Sequence, residues 1–149
     1  MKAVIQRVRH ATLSINAQQH VQIGYGLLVF LGIGYNDTSQ DIQYLVKKIT
    51  QLRIFNDEAG TMNLDIKTVQ GELLLVSQFT LWADTRKGNR PSYIRAAAPN
   101  VSLPLYQEAT EAFRQQLGNK LQTGVFGANM QIELLNDGPV TIIIDSQER

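Results

Sequence analysis

The stretch ELLLVSQFTL, Glu72 to Leu81, runs an apolar segment straight into a cluster of uncharged hydrogen-bonding groups. Leu73, Leu74, Leu75 and Val76 have the length and composition of a strand buried on both faces. Ser77, Gln78 and Thr80 follow where a continuing buried strand should stay apolar, and each hydroxyl or amide there costs free energy unless it finds a partner. Either these groups satisfy one another or they face a ligand.

A second stretch, NDGPVT at Asn136 to Thr141, precedes the apolar run Ile142, Ile143, Ile144. Asp-Gly signals a turn, while Pro139 has no N–H and belongs at a strand start, an edge or a bulge. Read alone, the segment is a tight hairpin, which places the last two strands at residues 129–135 and 140–145 on either side of it.

Outward from these two stretches, period-two alternation predicts a strand over Ala3 to Val8. Arg7 lies on a face that begins apolar, so its guanidinium either snorkels to water or is fixed by carbonyls or carboxylates. Ala11 to Ile15 should pair with His20 to Ile23 across a polar turn, and Leu27 to Ile33 is apolar enough for a central strand. Asp37, Thr38 and Ser39 offer N-caps for a helix from about Gln40 to Leu52, where Ile42, Leu45, Val46, Ile49 and Leu52 share one face. Short strands are expected at 53–55 and 62–66. The segment from Ala83 to Pro104 holds three of the four prolines and should be largely irregular. Ser102 and Pro104 then open a second amphipathic helix that Gly118 ends. Hairpin strands with two separate helices predict an α+β fold, an antiparallel-rich sheet or partial barrel with both helices packed outside.

The 149 residues fit a single domain, 1–149, and 44% hydrophobic with 18% charged residues is ordinary globular composition. There is no cysteine, which excludes disulfides, thiolate nucleophiles and cysteine-based zinc sites. MKAVIQRVRH alternates charged and apolar residues and has no apolar leader core, and no run approaches a membrane span, so a cytoplasmic protein with no membrane partner is expected. His10 and His20 lack metal-ligand spacing and are read as structural, and no loop has the pattern for nucleotide phosphates or calcium. No cofactor and no metal are expected. A net charge of +1 is no footprint for coating long nucleic acid, and no DNA partner is expected. One local cluster stands apart: Arg86, Lys87, Arg90 and Arg95, with Tyr93, form either a solvated loop or a site for a few phosphates.

SQFTL at 77–81 together with NDGPVT at 136–141 resembles the D-aminoacyl-tRNA deacylase family. The resemblance extends through IQRV at 5–8, GLLVFLG at 26–32, RIF at 53–55, MNL at 62–64, ADT at 83–85, RPS at 90–92 and QTG at 122–124. It implies a homodimeric hydrolase that removes D-amino acids, and glycine, from mischarged tRNA, acting on the 3′ end of the tRNA at a site shared across the subunit interface. It further implies that Gly138 and Pro139, joined by a cis peptide, reach the partner's Ser77–Thr80 region and reject L-residues by a clash with Cβ. An activated ester needs water placed and an oxyanion held, for which the backbone amides of Phe79 and Thr80 are candidates. The Thr80 hydroxyl has no base beside it in the sequence, which favours positioning over nucleophilic attack and leaves activation to the ribose 2′-hydroxyl, as proposed for the family. Gln78 would orient the terminal nucleotide. Arg7, Phe126 and Met130 are secondary substrate-binding candidates, the last two serving either as a stacking surface for adenine or as core. The polar residues after Asp145, 146–149, are expected to be a dispensable tail. A module that binds nucleic-acid ends without catalysis is the alternative.

Overall fold

The computed structural model describes residues 1–149, the side chain of Gln19 excepted. In chain order the elements are β1 (Lys2–Ile15), β2 (Gln18–Ile23), β3 (Gly26–Gly32), α1 (Ser39–Thr50), β4 (Phe55–Asn56), β5 (Met62–Leu64), β6 (Glu72–Ser77), α2 (Pro99–Leu117), β7 (Leu121–Thr123) and β8 (Met130–Asp145). The main sheet runs β2-β1-β3-β6-β7, and β8 lies along β1. β1 is antiparallel to β2, β3 and β8, whereas β3, β6 and β7 are mutually parallel. Parallel neighbours require crossover connections. α1 lies in the connection from β3 to β6 and α2 in that from β6 to β7.

β6 is buried on both faces, as its composition predicts. Leu73 and Leu75 join Leu27, Val29 and Leu31 of β3 in a core with Ile42, Leu45 and Ile49 of α1 and Tyr106, Ala109 and Phe113 of α2. Leu74 and Val76 point the other way, into a second core with Leu28, Val8, Ala11, Leu13 and Ile23. The far half of β1, with β2 and the start of β8, therefore curls over the face opposite the helices. The result is a nearly closed mixed sheet with two helices outside it.

Two expectations are corrected. NDGPVT is not a hairpin: β8 runs through it, because β1 is itself continuous and pairs with residues 130–134 at one end and 141–145 at the other. Two segments registered end to end along one continuous partner do not pair with each other as a hairpin. Instead the ladder slips: Gln6 faces Thr141 and Val8 faces Asn136, so Asp137 to Val140 bulge opposite Arg7 alone. α2 starts at Pro99, with Ala98 extended before it, which leaves Pro104 inside the helix. His10 lies on β1 and His20 on β2, both exposed.

The last residues, expected to be a dispensable tail, make defined contacts with the start of the chain and with α1. The buried α-ammonium of Met1 donates to Asp37 Oδ1 at 2.5 Å and to the buried Ser146 hydroxyl at 2.7 Å. Arg149 reaches Asp41 Oδ1 at 2.8 Å. Asp41 also accepts from the Thr38 N–H at 2.8 Å, which caps α1. Among the described residues, no helix is long and apolar enough to cross a membrane.

Candidate active site

β6 ends at Ser77, which lies opposite Leu31 of β3, and the next amide, Gln78 N–H, donates to the Leu31 carbonyl at 2.8 Å. The chain then tightens into a 3-10 turn over Phe79–Trp82. Two glycines of the preceding layer make room for it. A Cβ at Gly32 would lie 2.9 Å from both the Gln78 carbonyl oxygen and Leu81 Cβ, and one at Gly34 would lie 2.6 Å from the Trp82 ring. These glycines are seats for the turn, which their positions near a strand end did not disclose. The amides of Phe79 and Thr80 open the turn, so no carbonyl within it can accept from them.

Of the polar groups singled out in the sequence, Gln78 and Thr80 satisfy one another: Gln78 Nε2 donates to Thr80 Oγ1 at 2.5 Å. The half-buried Ser77 lines a cleft of about 640 Å³, as do Gln78 and Phe79. Phe126, Met130 and Asn129 also line it, as do Leu31, Val76 and Ser102. Thr80 does not line the cleft, and its hydroxyl meets a lining residue, Gln78, by this hydrogen bond. A further wall is the small-residue run Ala96–Pro99, held alongside the end of β3 by Ala97 N–H donating to the Ile33 carbonyl at 2.9 Å. Tyr93 completes the mouth, its ring packed edge to face on Phe79 with centroids 5.0 Å apart. The alanines, Ser102 and Asn129 were not among the sequence candidates; only small size, which leaves space, could have flagged the alanines and Ser102, and nothing in the local pattern singles out Asn129.

Among the described residues lining this cleft, Tyr93 alone carries a titratable side chain. No carboxylate, imidazole or amine lines it that could take a proton near neutral pH. Tyr106, behind the cleft, donates its hydroxyl to the Leu75 carbonyl at 3.0 Å, and burial pushes its pKa up, so it is a fixed donor.

The remaining candidates form a separate group. Arg7 is 5% exposed, and its guanidinium donates to the Ile54 carbonyl at 2.6 Å, to Asn56 Oδ1 at 3.3 Å and to the Asp137 carbonyl at 3.2 Å. Of the two fates open to this guanidinium, fixation by carbonyls is the one observed. Gly138 and Pro139 are exposed on the bulge above it, and the peptide between them is cis. Arg7 faces Leu27, four residues along β3 from the Leu31 that abuts Ser77. At about 3.3 Å per residue this is roughly 13 Å along the sheet. Within one chain, then, Ser77, Gln78, Phe79, Phe126 and Met130 come together, and Arg7, Gly138 and Pro139 do not join them.

Residues 4–145 match the model of the family described as D-Tyr-tRNA(Tyr) deacylase. The chain is 56% identical over 149 residues to a D-aminoacyl-tRNA deacylase of Parabacteroides distasonis, covering 100% of this chain and 99% of the relative. It is 54% identical, with the same coverage, to one of Cytophaga hutchinsonii. Among solved structures, a c-Myc DNA unwinding element binding protein superposes with a TM-score of 0.93 at 39% identity, covering 97% of this chain and 98% of that one. A probable eukaryotic D-amino acid tRNA deacylase superposes with a TM-score of 0.84 at 17% identity, covering 96% and 97%, a likeness of fold.

Proposed function

The chain belongs to the D-Tyr-tRNA(Tyr) deacylase family, and on that premise we propose how this hydrolase of the D-aminoacyl-tRNA ester works with a cleft wall that offers no general base. The observation that carries the reading is the chemistry of that wall: hydrogen-bonding groups at the end of β6, an exposed aromatic pair, and only Tyr93 titratable among the described lining residues. An aminoacyl ester is already activated, so catalysis requires a placed water and a stabilised oxyanion more than a strong base. The amides of Phe79 and Thr80 hold the developing oxyanion. The substrate's own 2′-hydroxyl takes the proton of the attacking water and passes its own to the departing 3′-oxygen, which yields free amino acid and tRNA. Gln78, fixed by Thr80, orients the terminal nucleotide, while Phe126 and Met130 supply apolar surface for its base.

Selectivity for D-residues comes from Gly138 and Pro139 of a second copy of the chain. Two features support a homodimer. The bulge that carries this dipeptide is too far along the sheet to reach the cleft of its own protomer, and β8 pairs on one side only while exposing Leu135, Gly138, Pro139 and Ile143. A partner's backbone set close to the substrate's α-carbon excludes an L-side chain, admits a D-side chain directed to solvent, and accepts glycine, including glycine misplaced on tRNA-Ala. The protein acts in the cytoplasm as a proofreading step of translation, as a single domain over 1–149, without cofactor or metal.

The test is incubation with D-tyrosyl-tRNA, L-tyrosyl-tRNA and glycyl-tRNA in the presence of a chelator. Release of D-tyrosine and glycine with the L-ester spared is the expected outcome. Retained D-ester together with measurable tRNA binding would replace the enzyme by a nucleic-acid-binding module. A fully active monomer would remove the shared site.

A further inference from the structure

Between the 3-10 turn and the Ala96–Pro99 wall, the chain leaves the body as an arm. Its root is a two-residue bridge in which Asp84 and Ser92 exchange both backbone hydrogen bonds, at 2.8 and 2.9 Å. Beyond the bridge, Thr85 to Arg90 are all exposed. Residues 84–95 carry Arg86, Lys87, Arg90 and Arg95 against the single acid Asp84, three net positive charges in a chain whose total is +1. The rest of the surface is therefore slightly acidic, and the positive field is concentrated on this arm.

The cations are not equivalent. Arg86 is held by Asp84 through both carboxylate oxygens, and this contact, helped by the Arg86 N–H, keeps the Asp84 carboxyl well below the usual carboxylate range. Arg95 lies over the Trp82 ring at 5.3 Å. Lys87 and Arg90 have no ion-pair partner among the described residues. Both residues are exposed. The Asp84–Arg86 pair leaves these two charges without a counter-charge, and Tyr93, next to Ser92 of the bridge, packs on Phe79, both rings lining the cleft.

We propose that Lys87 and Arg90 bind backbone phosphates of the single-stranded 3′ end of the substrate tRNA, steering the ester into the cleft. The inference rests on the deacylase reading above and deepens it. Phosphates carry affinity without sequence, and exposed aromatic rings beside them suit unpaired nucleotides. The cleft would then read the terminal aminoacyl-adenosine, and the arm would supply the electrostatic part of binding.

The experiment compares wild type, a Lys87→Gln/Arg90→Gln variant and a control, Lys47→Gln/Lys48→Gln, whose lysines are exposed on α1. Two substrates are used, D-tyrosyl-tRNA and D-tyrosyl-adenosine, which has no phosphate. The arm variant should raise KM for the tRNA several-fold with kcat held. It should also flatten the slope of log KM against log salt by about 1.4, from about 0.7 per single-strand phosphate lost. It should leave D-tyrosyl-adenosine hydrolysis unchanged, and the α1 control should behave as wild type. Equal loss on both substrates would make the arm a mere support for the cleft and overturn the proposal, as would an unchanged salt slope or an equal effect in the control. If wild type hydrolyses neither substrate, it is the deacylase reading that fails.

Discussion

Arg7 Nε donates to the carbonyl oxygen of Asp137 at 3.2 Å, and by this bond a buried strand residue fixes the first residue of the bulge that carries Gly138 and Pro139. The same nitrogen lies 3.2 Å from Asp137 Oδ2, so one guanidinium holds both backbone and carboxylate. Arg7→Met should leave the Ile54 and Asp137 carbonyls without their donor, costing about 1–3 kcal/mol in urea denaturation. Arg7→Lys should recover only part of it, because an ammonium cannot reproduce the planar fork. If Lys restores both stability and deacylation in full, the fork geometry is irrelevant to the bulge.

Gly138→Ala tests the bulge from its outer side. Its φ of +123° suits glycine, and a Cβ built there would lie 2.9 Å from Val140 Cγ2 and 3.0 Å from the Arg7 guanidinium. About 1–2 kcal/mol of backbone strain is expected. The residue is exposed, so the fold should persist while D-tyrosyl-tRNA deacylation falls sharply. Wild-type kcat/KM in a variant shown to be folded would mean that this dipeptide does not approach the substrate.

For Thr80 the structure makes the expectation narrower than the sequence did. Its hydroxyl accepts from Gln78 Nε2 and does not line the cleft, so Thr80→Ala should free the Gln78 amide and slow deacylation without abolishing it. Thr80→Ser keeps the acceptor and should retain most of the activity. A covalent acyl-enzyme trapped on wild type but not on Thr80→Ala would show the hydroxyl to be a nucleophile.

The sheet was legible because it follows from patterning. Leu73 to Val76 read as doubly buried and are, and the spacing of Ile42, Leu45, Val46 and Ile49 named the buried face of α1. What could not be read was whatever depends on a partner distant in sequence. Asn136 to Thr141 has the local chemistry of a turn, and only pairing with β1 along both flanks keeps it in a strand. Ser77, Gln78 and Phe79 were visible because polar groups interrupt an apolar run. Gly32, Gly34 and the Ala96–Ala98 wall serve by being small, and a missing side chain leaves no pattern.

The polar residues after Asp145 read as a tail for the same reason, since their partners Met1 and Asp41 lie 145 and 108 residues away in the sequence. Their effect should be visible in acid. Burial pushes the Asp41 pKa up, but hydrogen bonds from the Thr38 N–H, Ser146 and Arg149 outweigh it and lower the pKa from 3.8 to about 2. A carboxyl whose folded pKa is depressed stabilises the fold above its unfolded pKa, and that contribution drains away as pH falls through the folded value. The relevant window therefore runs from about 4 down to about 2. Arg149→Gln removes one of the lowering contacts, so the variant should melt below wild type at neutral pH. The gap should then narrow as pH drops across the window, because protonating Asp41 removes the interaction from wild type as well. Melts of both proteins across that range provide the measurement. A gap that stays constant with pH would show that Arg149 acts by packing on Tyr44, whose ring lies 5.1 Å beneath it, and not through the charge on Asp41.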